Sequence, residues 1–101
     1  MIRHIVLLTF NTETTDAHID HIAQQLRELP GTVKSIKNYE VSRDLGRTEG
    51  NAALAVVADF DDYEGYQAYA DDAGHQALIA ADIGPHLSGR TASQFEWSPE
   101  R

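Results

Sequence analysis

Cysteine is absent from this chain of 101 residues. Without it the chain can form no disulfide framework, no zinc site with thiolate ligands and no cysteine nucleophile. Long apolar runs are absent too, and near the N-terminus the longest spans residues 5–8, too short for a signal-peptide core or a membrane span. We therefore expect a cytoplasmic protein with no membrane partner.

Positive charge is scarce, with 8 Lys and Arg residues against 16 Asp and Glu and a net charge of -8. Nucleic-acid binding depends on clustered cations that neutralise phosphates, and the few cations of this chain are scattered. The loop over residues 44–51 contains Gly46 and Gly50, but no G-x-G-x-x-G or Gly-Lys-Ser/Thr sequence that would cradle a phosphate. The sequence therefore predicts no nucleic-acid partner.

The chain does contain alternating and helical apolar patterns, enough for a single domain over residues 1–101. The first strand is predicted over Ile2–Phe10, where alternate side chains point to opposite faces. One face carries His4, Val6, Leu8 and Phe10, and the other carries Ile5 and Leu7. Because both faces are apolar, both must be covered, and a chain this short has little left to provide two covers alone.

Apolar spacing and turn signals predict the further elements. A helix carries an apolar stripe and ends at Pro30-Gly31; the stripe consists of Ile19, Ile22, Leu26 and Leu29. Strands are predicted over residues 32–43, with a bulge at 35–37, and over residues 52–60 and 91–97. A capping box, Asp61-x-x-Glu64, opens a second helix, which breaks at residues 71–74 and resumes over residues 75–83.

The order of the elements is strand, helix, strand, strand, broken helix, strand. This order predicts an α+β protein with the ferredoxin-like βαββαβ arrangement and a four-stranded antiparallel sheet. The helices of this arrangement lie on one face of the sheet, which leaves the other face bare. Since the strands over residues 2–10 and 52–60 are apolar on both faces, we expect a second copy of the chain to cover the bare face. The sequence thus predicts a homodimer.

Two histidines of the first helix, His18 and His21, have a spacing that could make them metal ligands. They fall away from the apolar stripe, and no carboxylate at a suitable offset completes a ligand set. We expect both side chains to be solvent-exposed and no metal to bind there.

Three stretches of the chain together resemble the stress-responsive dimeric α/β-barrel family. They are the opening Arg-His-Ile-Val-Leu-Leu-Thr-Phe, the Leu-Pro-Gly that closes the first helix, and Tyr69-x-x-x-x-x-His75 after the third strand. Each is weak alone, but their order within about a hundred residues is specific. The resemblance spans nearly the whole chain, and it implies a dimer whose sheets pack into a barrel.

The resemblance also implies a chemistry, because polyketide cyclases of the olivetolic-acid type in this family close a poly-β-keto thioester by an intramolecular aldol reaction. The positions that match their site are His75 as general base, Tyr69 as its support and His4 as a further pocket residue. A methylene between two carbonyls is acidic, so a histidine can remove its proton near neutral pH without metal or cofactor. We therefore expect a cofactor-independent enzyme for a small hydrophobic carbonyl substrate.

Two other functions stay open. Antibiotic-biosynthesis monooxygenases resemble this fold and size, so a cofactor-less oxygenase is the first, and oxygen consumption would identify it. The second is a stress-responsive oligomer without catalysis, with Tyr69 packed in a filled core and His75 exposed at a helix start. Haem use is disfavoured, although His75 alone could serve as an axial ligand.

Overall fold

The computed structural model of the protein, described over residues 1–99, contains a sheet of four antiparallel strands. The strands are β1 (Ile2–Phe10), β2 (Asn38–Arg43), β3 (Leu54–Phe60) and β4 (Leu87–Glu96). Their order across the sheet is β2-β3-β1-β4, so the first strand is internal and the last lies at an edge. The predicted ferredoxin-like arrangement is confirmed. Of the tail expected over residues 98–101, Glu100 and Arg101 lie outside the described residues.

Three α-helices lie in the described connections between strands: α1 (Asp16–Arg27), α2 (Tyr63–Asp71) and α3 (Ala73–Leu78). A π-helical segment, Ile79–Ile83, extends α3 toward β4. Helix α1 begins where the Thr15 hydroxyl accepts a hydrogen bond from the backbone N–H of His18 at 3.1 Å, which satisfies one of the free N–H groups of its first turn. The predicted apolar stripe of α1 is buried, including Leu29 in the short turn that follows the helix.

The core lies on one face of the sheet, where the even-numbered side chains of β1 and β3 pack against the helices. Its strand members include Val6, Leu8, Phe10, Leu54, Val56, Ala58 and Phe60. Burial of side chains of this size stabilises the fold by about 1.5 to 3 kcal/mol each. The odd-numbered side chains point to the opposite face, where Leu7 is 40% exposed and Phe95 of β4 is 45% exposed. Within residues 1–99, therefore, only one of the two apolar faces is covered.

An ion pair lies on this open face of the sheet. Arg3 of β1 and Asp59 of β3 are direct partners in the strand pairing, and the guanidinium binds both carboxylate oxygens at 2.8 and 2.9 Å. The Arg3 guanidinium carbon lies 3.9 Å from the centre of the Trp97 ring. Hydrogen bonding to Arg3 lowers the pKa of Asp59, which is buried. The two charges of the pair neutralise each other at this end of the face.

The second strand is shorter than expected. It begins at Asn38, and its pairing with β3 runs without a register shift, so the bulge predicted at residues 35–37 is wrong. Residues 32–37 instead form local turns, in which the backbone N–H of Ile36 donates to the carbonyl of Val33 at 3.3 Å. Val33 and Ile36 are three residues apart because they belong to a turn that packs on the core, and they are not part of an irregular strand.

The start of α2 and the start of β4 also differ from the prediction. Helix α2 is capped by Asp62, whose carboxylate accepts from the backbone N–H of Gly65 at 2.8 Å, whereas Asp61 pairs with Lys37 at 3.4 Å. Strand β4 begins at Leu87, four positions before the predicted start, because pairing with β1 continues as far as Phe10. The capping box at Asp61 is therefore wrong by one residue, and Arg90 belongs to a strand.

No helix within residues 1–99 combines the length and the apolar character that crossing a lipid bilayer requires.

Candidate active site

A cavity of about 220 Å³ lies between the helices and the sheet. Its walls are mainly apolar and come from β1, β3, α1, α2, the π-helical segment and β4; they include Val6, Leu8, Leu26, Val56, Ile79, Ile83 and Leu87. The helices cover β1 and β3 but leave the side chains of β4 on the same face exposed, among them Ala92 and Gln94. The cavity is therefore buried on the side of β1 and open on the side of β4.

His4 lines the cavity from the sheet. The alternation of β1 directs it toward the helices, where its ring lies 4.7 Å from the Tyr66 ring and the residue is 3% exposed. Burial lowers the pKa of His4, and the positive charge of Arg90 lowers it further. Its Nδ1 is buried and has no hydrogen-bond partner among residues 1–99, so this ring presents an unused polar atom.

The break between α2 and α3 positions His75. Asp72 has a non-helical backbone and its carboxylate accepts from the backbone N–H of His75 at 2.8 Å, which starts α3 at Ala73, two residues after α2 ends at Asp71. The last four carbonyls of a helix lack helical partners, and the carbonyl of Tyr69 is one of them. The His75 ring lies over this end of α2 and stacks on the Tyr69 ring, with the ring centroids 4.2 Å apart.

The tautomer of His75 follows from its backbone contact. Its Nδ1 lies 3.0 Å from the carbonyl oxygen of Tyr69, and because a carbonyl can only accept, Nδ1 must carry the hydrogen. In the neutral ring Nε2 then has the free lone pair. Burial lowers the pKa of His75, although the hydrogen bond to Tyr69 and the charge of Asp72 act in the opposite direction. The ring is therefore neutral and basic at pH 7.

Tyr69 has a phenol partner at the back of the cavity. Its hydroxyl oxygen lies 3.1 Å from that of Tyr39, a residue of β2, and Tyr69 itself is 3% exposed. Burial raises the pKa of both phenols, while the hydrogen bond from Tyr39 partly offsets the rise for Tyr69. With Tyr39 as the donor, the proton of the Tyr69 hydroxyl remains available to a ligand.

The structure brings His4, Tyr69 and His75 to one cavity. It adds three residues that sequence reasoning did not assign to the site, namely Tyr66, Tyr39 and Arg90. Tyr66 lies one helical turn from Tyr69, so helical spacing could have assigned it. Arg90 could have been found only with the correct start of β4, because its pairing with Leu8 puts it on the cavity face.

The histidines of α1 differ from the prediction in part. His21 is exposed, as expected, but His18 is half-buried because its ring packs on that of His86, with centroids 4.3 Å apart. Its Nε2 lies 3.4 Å from the carbonyl oxygen of Asp82. The expectation that His18 faces solvent is wrong, since the turn before β4 covers this part of the helix. Within residues 1–99, no group of three or more His, Asp or Glu side chains is arranged to hold a metal ion.

The dimensions of the cavity limit its ligands. Pockets for drug-sized ligands occupy about 300 to 1,000 Å³. A cavity of about 220 Å³ is smaller than this, although it is open on one side. The expectation that haem is disfavoured stays a prediction.

Comparison with known proteins shows the family. Residues 2–97 match the family model described as the stress responsive A/B barrel domain. No curated protein matches the chain. A solved structure of a protein from Thermobifida fusca, described as a dimeric ferredoxin-like protein of unknown function, is 40% identical, with a TM-score of 0.86 over 95% of this chain and 90% of that chain.

Two more distant structures share the fold. A hydroxynitrile lyase from Passiflora edulis is 16% identical, with a TM-score of 0.82 over 97% of this chain and 94% of that chain. An antibiotic biosynthesis monooxygenase is 14% identical, with a TM-score of 0.79 over 98% of this chain and all of that chain (100%). At these identities the likeness concerns the fold alone.

Proposed function

The chain belongs to the stress-responsive A/B barrel domain family, and we propose that it is a cofactor-independent enzyme of the polyketide-cyclase or lyase type that acts on a small apolar carbonyl compound. One observation carries the proposal. The Nδ1 of His75 is held by the carbonyl of Tyr69 at 3.0 Å, which leaves Nε2 as an unprotonated base beside an apolar cavity. A histidine that is unprotonated at neutral pH and held in one tautomer can accept a proton from an acidic C–H group.

The reaction begins with proton transfer from carbon to nitrogen. The Nε2 of His75 takes a proton from the carbon next to the carbonyl, and the electron pair of the C–H bond moves to the carbonyl oxygen to give an enolate. The Tyr69 hydroxyl donates a hydrogen bond to this oxygen as its negative charge develops. In a cyclase the enolate carbon then bonds to a second carbonyl carbon of the same molecule, and the His75 imidazolium returns its proton to the new alkoxide.

The surroundings of His75 support this chemistry. Apolar walls exclude water, which strengthens the hydrogen bond from Tyr69 to the developing enolate. His4 lies in the wall of the same cavity, with its ring against that of Tyr66. A protein without catalysis was expected to have a filled core and an exposed His75, whereas the cavity and the stacked, half-buried His75 favour an enzyme.

Exchange of carbon-bound hydrogen for deuterium tests the base directly. Phenylacetone, a small apolar ketone, is incubated with the protein in D₂O, and loss of its methylene proton signal is followed by NMR. We expect the wild-type protein to accelerate the exchange and His75→Ala to lower the acceleration about a hundredfold or more. The matched control is His21→Ala, which removes an exposed histidine outside the cavity and should leave the rate unchanged.

Two results would contradict the proposal. If the wild-type protein exchanged phenylacetone no faster than His75→Ala does, His75 would not be the base. The same conclusion would follow if His75→Ala and His21→Ala lost equal parts of the rate. Oxygen consumption with an activated aromatic substrate, dependent on the same cavity, would instead assign the protein to the cofactor-less oxygenases.

The proposal includes a homodimer formed through the open face of the sheet. This face exposes the large apolar side chains of Leu7 in β1 and Phe95 in β4, and exposed apolar surface of this kind marks interfaces. The Thermobifida fusca protein, 40% identical, is described as dimeric. A second copy around a two-fold axis would place the same apolar patch against itself.

A further inference from the structure

Among the described residues that line the cavity, Arg90 is the one whose side chain carries a charge throughout the physiological pH range. The other lining residues within the described chain are apolar side chains, tyrosines and two histidines, with no carboxylate among them. Arg90 pairs with Leu8 in the β4–β1 ladder, and paired residues of antiparallel strands point to the same face. It therefore projects from the edge strand toward the face on which the helices lie.

Arg90 has no hydrogen-bond or ion-pair partner among the residues that the structure describes. The other arginines of the described strands and helices are all engaged: Arg3 binds Asp59, Arg27 donates to the carbonyl of Val41, and Arg43 binds Asp16 and Asp20. Arg90 is exposed, and its guanidinium, at a cavity without carboxylates in the described chain, is free to bind an anion.

The two histidines of the cavity do not compete with Arg90 for an anion. After burial, the charge of Arg90 is the next cause that lowers the pKa of His4, and Arg90 also contributes to the lowered pKa of His75. Both rings are therefore neutral at pH 7, and the positive potential of the cavity comes from Arg90.

We propose that the cavity binds a compound that carries a carboxylate on a small apolar body, with the carboxylate on Arg90. The proposal rests on the proposed function in taking this cavity as the substrate site. A guanidinium binds a carboxylate through two parallel hydrogen bonds, which would also fix the orientation of the ligand.

The volume sets the size of the apolar body. A dry cavity of about 150 Å³ is known to hold one benzene molecule. The cavity of about 220 Å³ has room for one ring and a short substituent, and its side near β4 is open. The substrate class is therefore a keto acid or acyl compound with one ring or a short chain.

Benzoate and benzamide test the charge separately from the shape, because they differ only in the group that Arg90 would bind. Their dissociation constants for the wild-type protein are measured by NMR titration at low salt, with the methyl signals of Leu8 and Ile83 as reporters of the cavity. We expect benzoate to bind about tenfold more tightly than benzamide. Arg90→Gln should remove the difference, and Arg90→Lys should keep part of it because the charge remains.

Arg47→Gln is the matched control, since it makes the same change of net charge at an exposed loop position outside the cavity. It should leave the preference for benzoate intact. Equal binding of both probes to the wild-type protein would overturn the proposal, as would no binding of benzoate or a preference that survives in Arg90→Gln.

The result of the benzoate binding test does not depend on whether the protein catalyses the ketone exchange. If the ketone exchange described above is absent but benzoate is preferred through Arg90, the catalytic proposal fails and the anion site stands. If the exchange depends on His75 but benzoate shows no preference, the anion site fails and the catalytic proposal stands.

Discussion

The imidazole of His75 stacks on the phenol ring of Tyr69 at a centroid distance of 4.2 Å and binds the backbone carbonyl of the same residue through Nδ1 at 3.0 Å. One residue thus fixes both the position and the tautomer of the other. The arrangement depends on the short break at Asp72, which brings the first turn of α3 back over the last turn of α2. A longer connection would not hold the ring in this orientation.

The proposed catalysis should depend on pH through His75. Its pKa lies below the ordinary value of 6.5, mainly because of burial, so the ring is the free base above that value. The rate of ketone exchange should be constant from pH 8 to about 6.5 and fall as the pH decreases through the lowered pKa. An NMR titration of the His75 ring gives the midpoint independently. A midpoint above 6.5, or a rate that rises as the pH falls, would contradict the assignment.

The phenols of Tyr39 and Tyr69 should be coupled in stability. Each of Tyr69→Phe and Tyr39→Phe leaves the hydroxyl of the other tyrosine without its hydrogen-bond partner, so each should destabilise the protein by about 1 to 2 kcal/mol. The double variant should cost less than the sum, because both polar groups are then replaced by apolar ones. Urea unfolding of the four proteins measures the cycle, and strict additivity would show that the hydroxyls do not interact.

The same variants should differ in activity. Tyr69→Phe should lower the rate of ketone exchange about tenfold because the enolate loses a hydrogen bond. Tyr39→Phe should lower it less, since Tyr39 acts through Tyr69 and does not line the cavity. An equal loss in both variants would indicate a general disturbance of packing.

The two histidines of α1 should respond differently to replacement. His21→Ala changes an exposed side chain and should alter the free energy of unfolding by less than about 0.5 kcal/mol. His18→Ala removes the ring that packs on His86 and should cost about 1 kcal/mol. Neither variant should change the metal content of the purified protein. Stoichiometric zinc that is lost in His18→Ala would contradict the prediction that their spacing is incidental.

The open face of the sheet predicts the effect of a charge on assembly. Leu7→Asp places a carboxylate in the middle of the proposed dimer interface, where an unpaired buried charge costs at least several kcal/mol. We expect this variant to sediment as a monomer or to unfold, while the wild-type protein sediments at twice its mass of 11.2 kDa. Gln24→Asp, on the exposed side of α1, is the control and should remain dimeric. A wild-type monomer at micromolar concentration would contradict the homodimer.

Much of the fold could be predicted because its signals are local. The alternation of Ile2–Phe10 assigned His4 to the same face as Val6, and the structure has both on the helix side. The spacing of Ile19, Ile22 and Leu26 predicted the buried side of α1. In each case the direction of a side chain follows from the period of its own element.

Boundaries were predicted less well, because they depend on pairing with distant parts of the chain. Leu87–Arg90 have little strand character alone, and they join β4 because the first strand extends far enough to pair with them. The half-buried position of His18 likewise depends on the turn that contains His86, which is 68 positions further along the sequence. No pattern within α1 could reveal that contact.

By itself, the sequence determined the α+β class, the order of the elements and the two apolar faces of the first strand, and its resemblance to the family implied the candidate residues His4, Tyr69 and His75. Only the tertiary structure decided that these three share a cavity, that Nδ1 of His75 carries the hydrogen, and that Arg90 lines the same cavity. The reason is physical. The period of a strand or helix fixes the face on which a side chain lies, whereas hydrogen bonds and charges act over a few ångströms, and only the packing of α2, α3 and β4 on β1 brings those groups within that range.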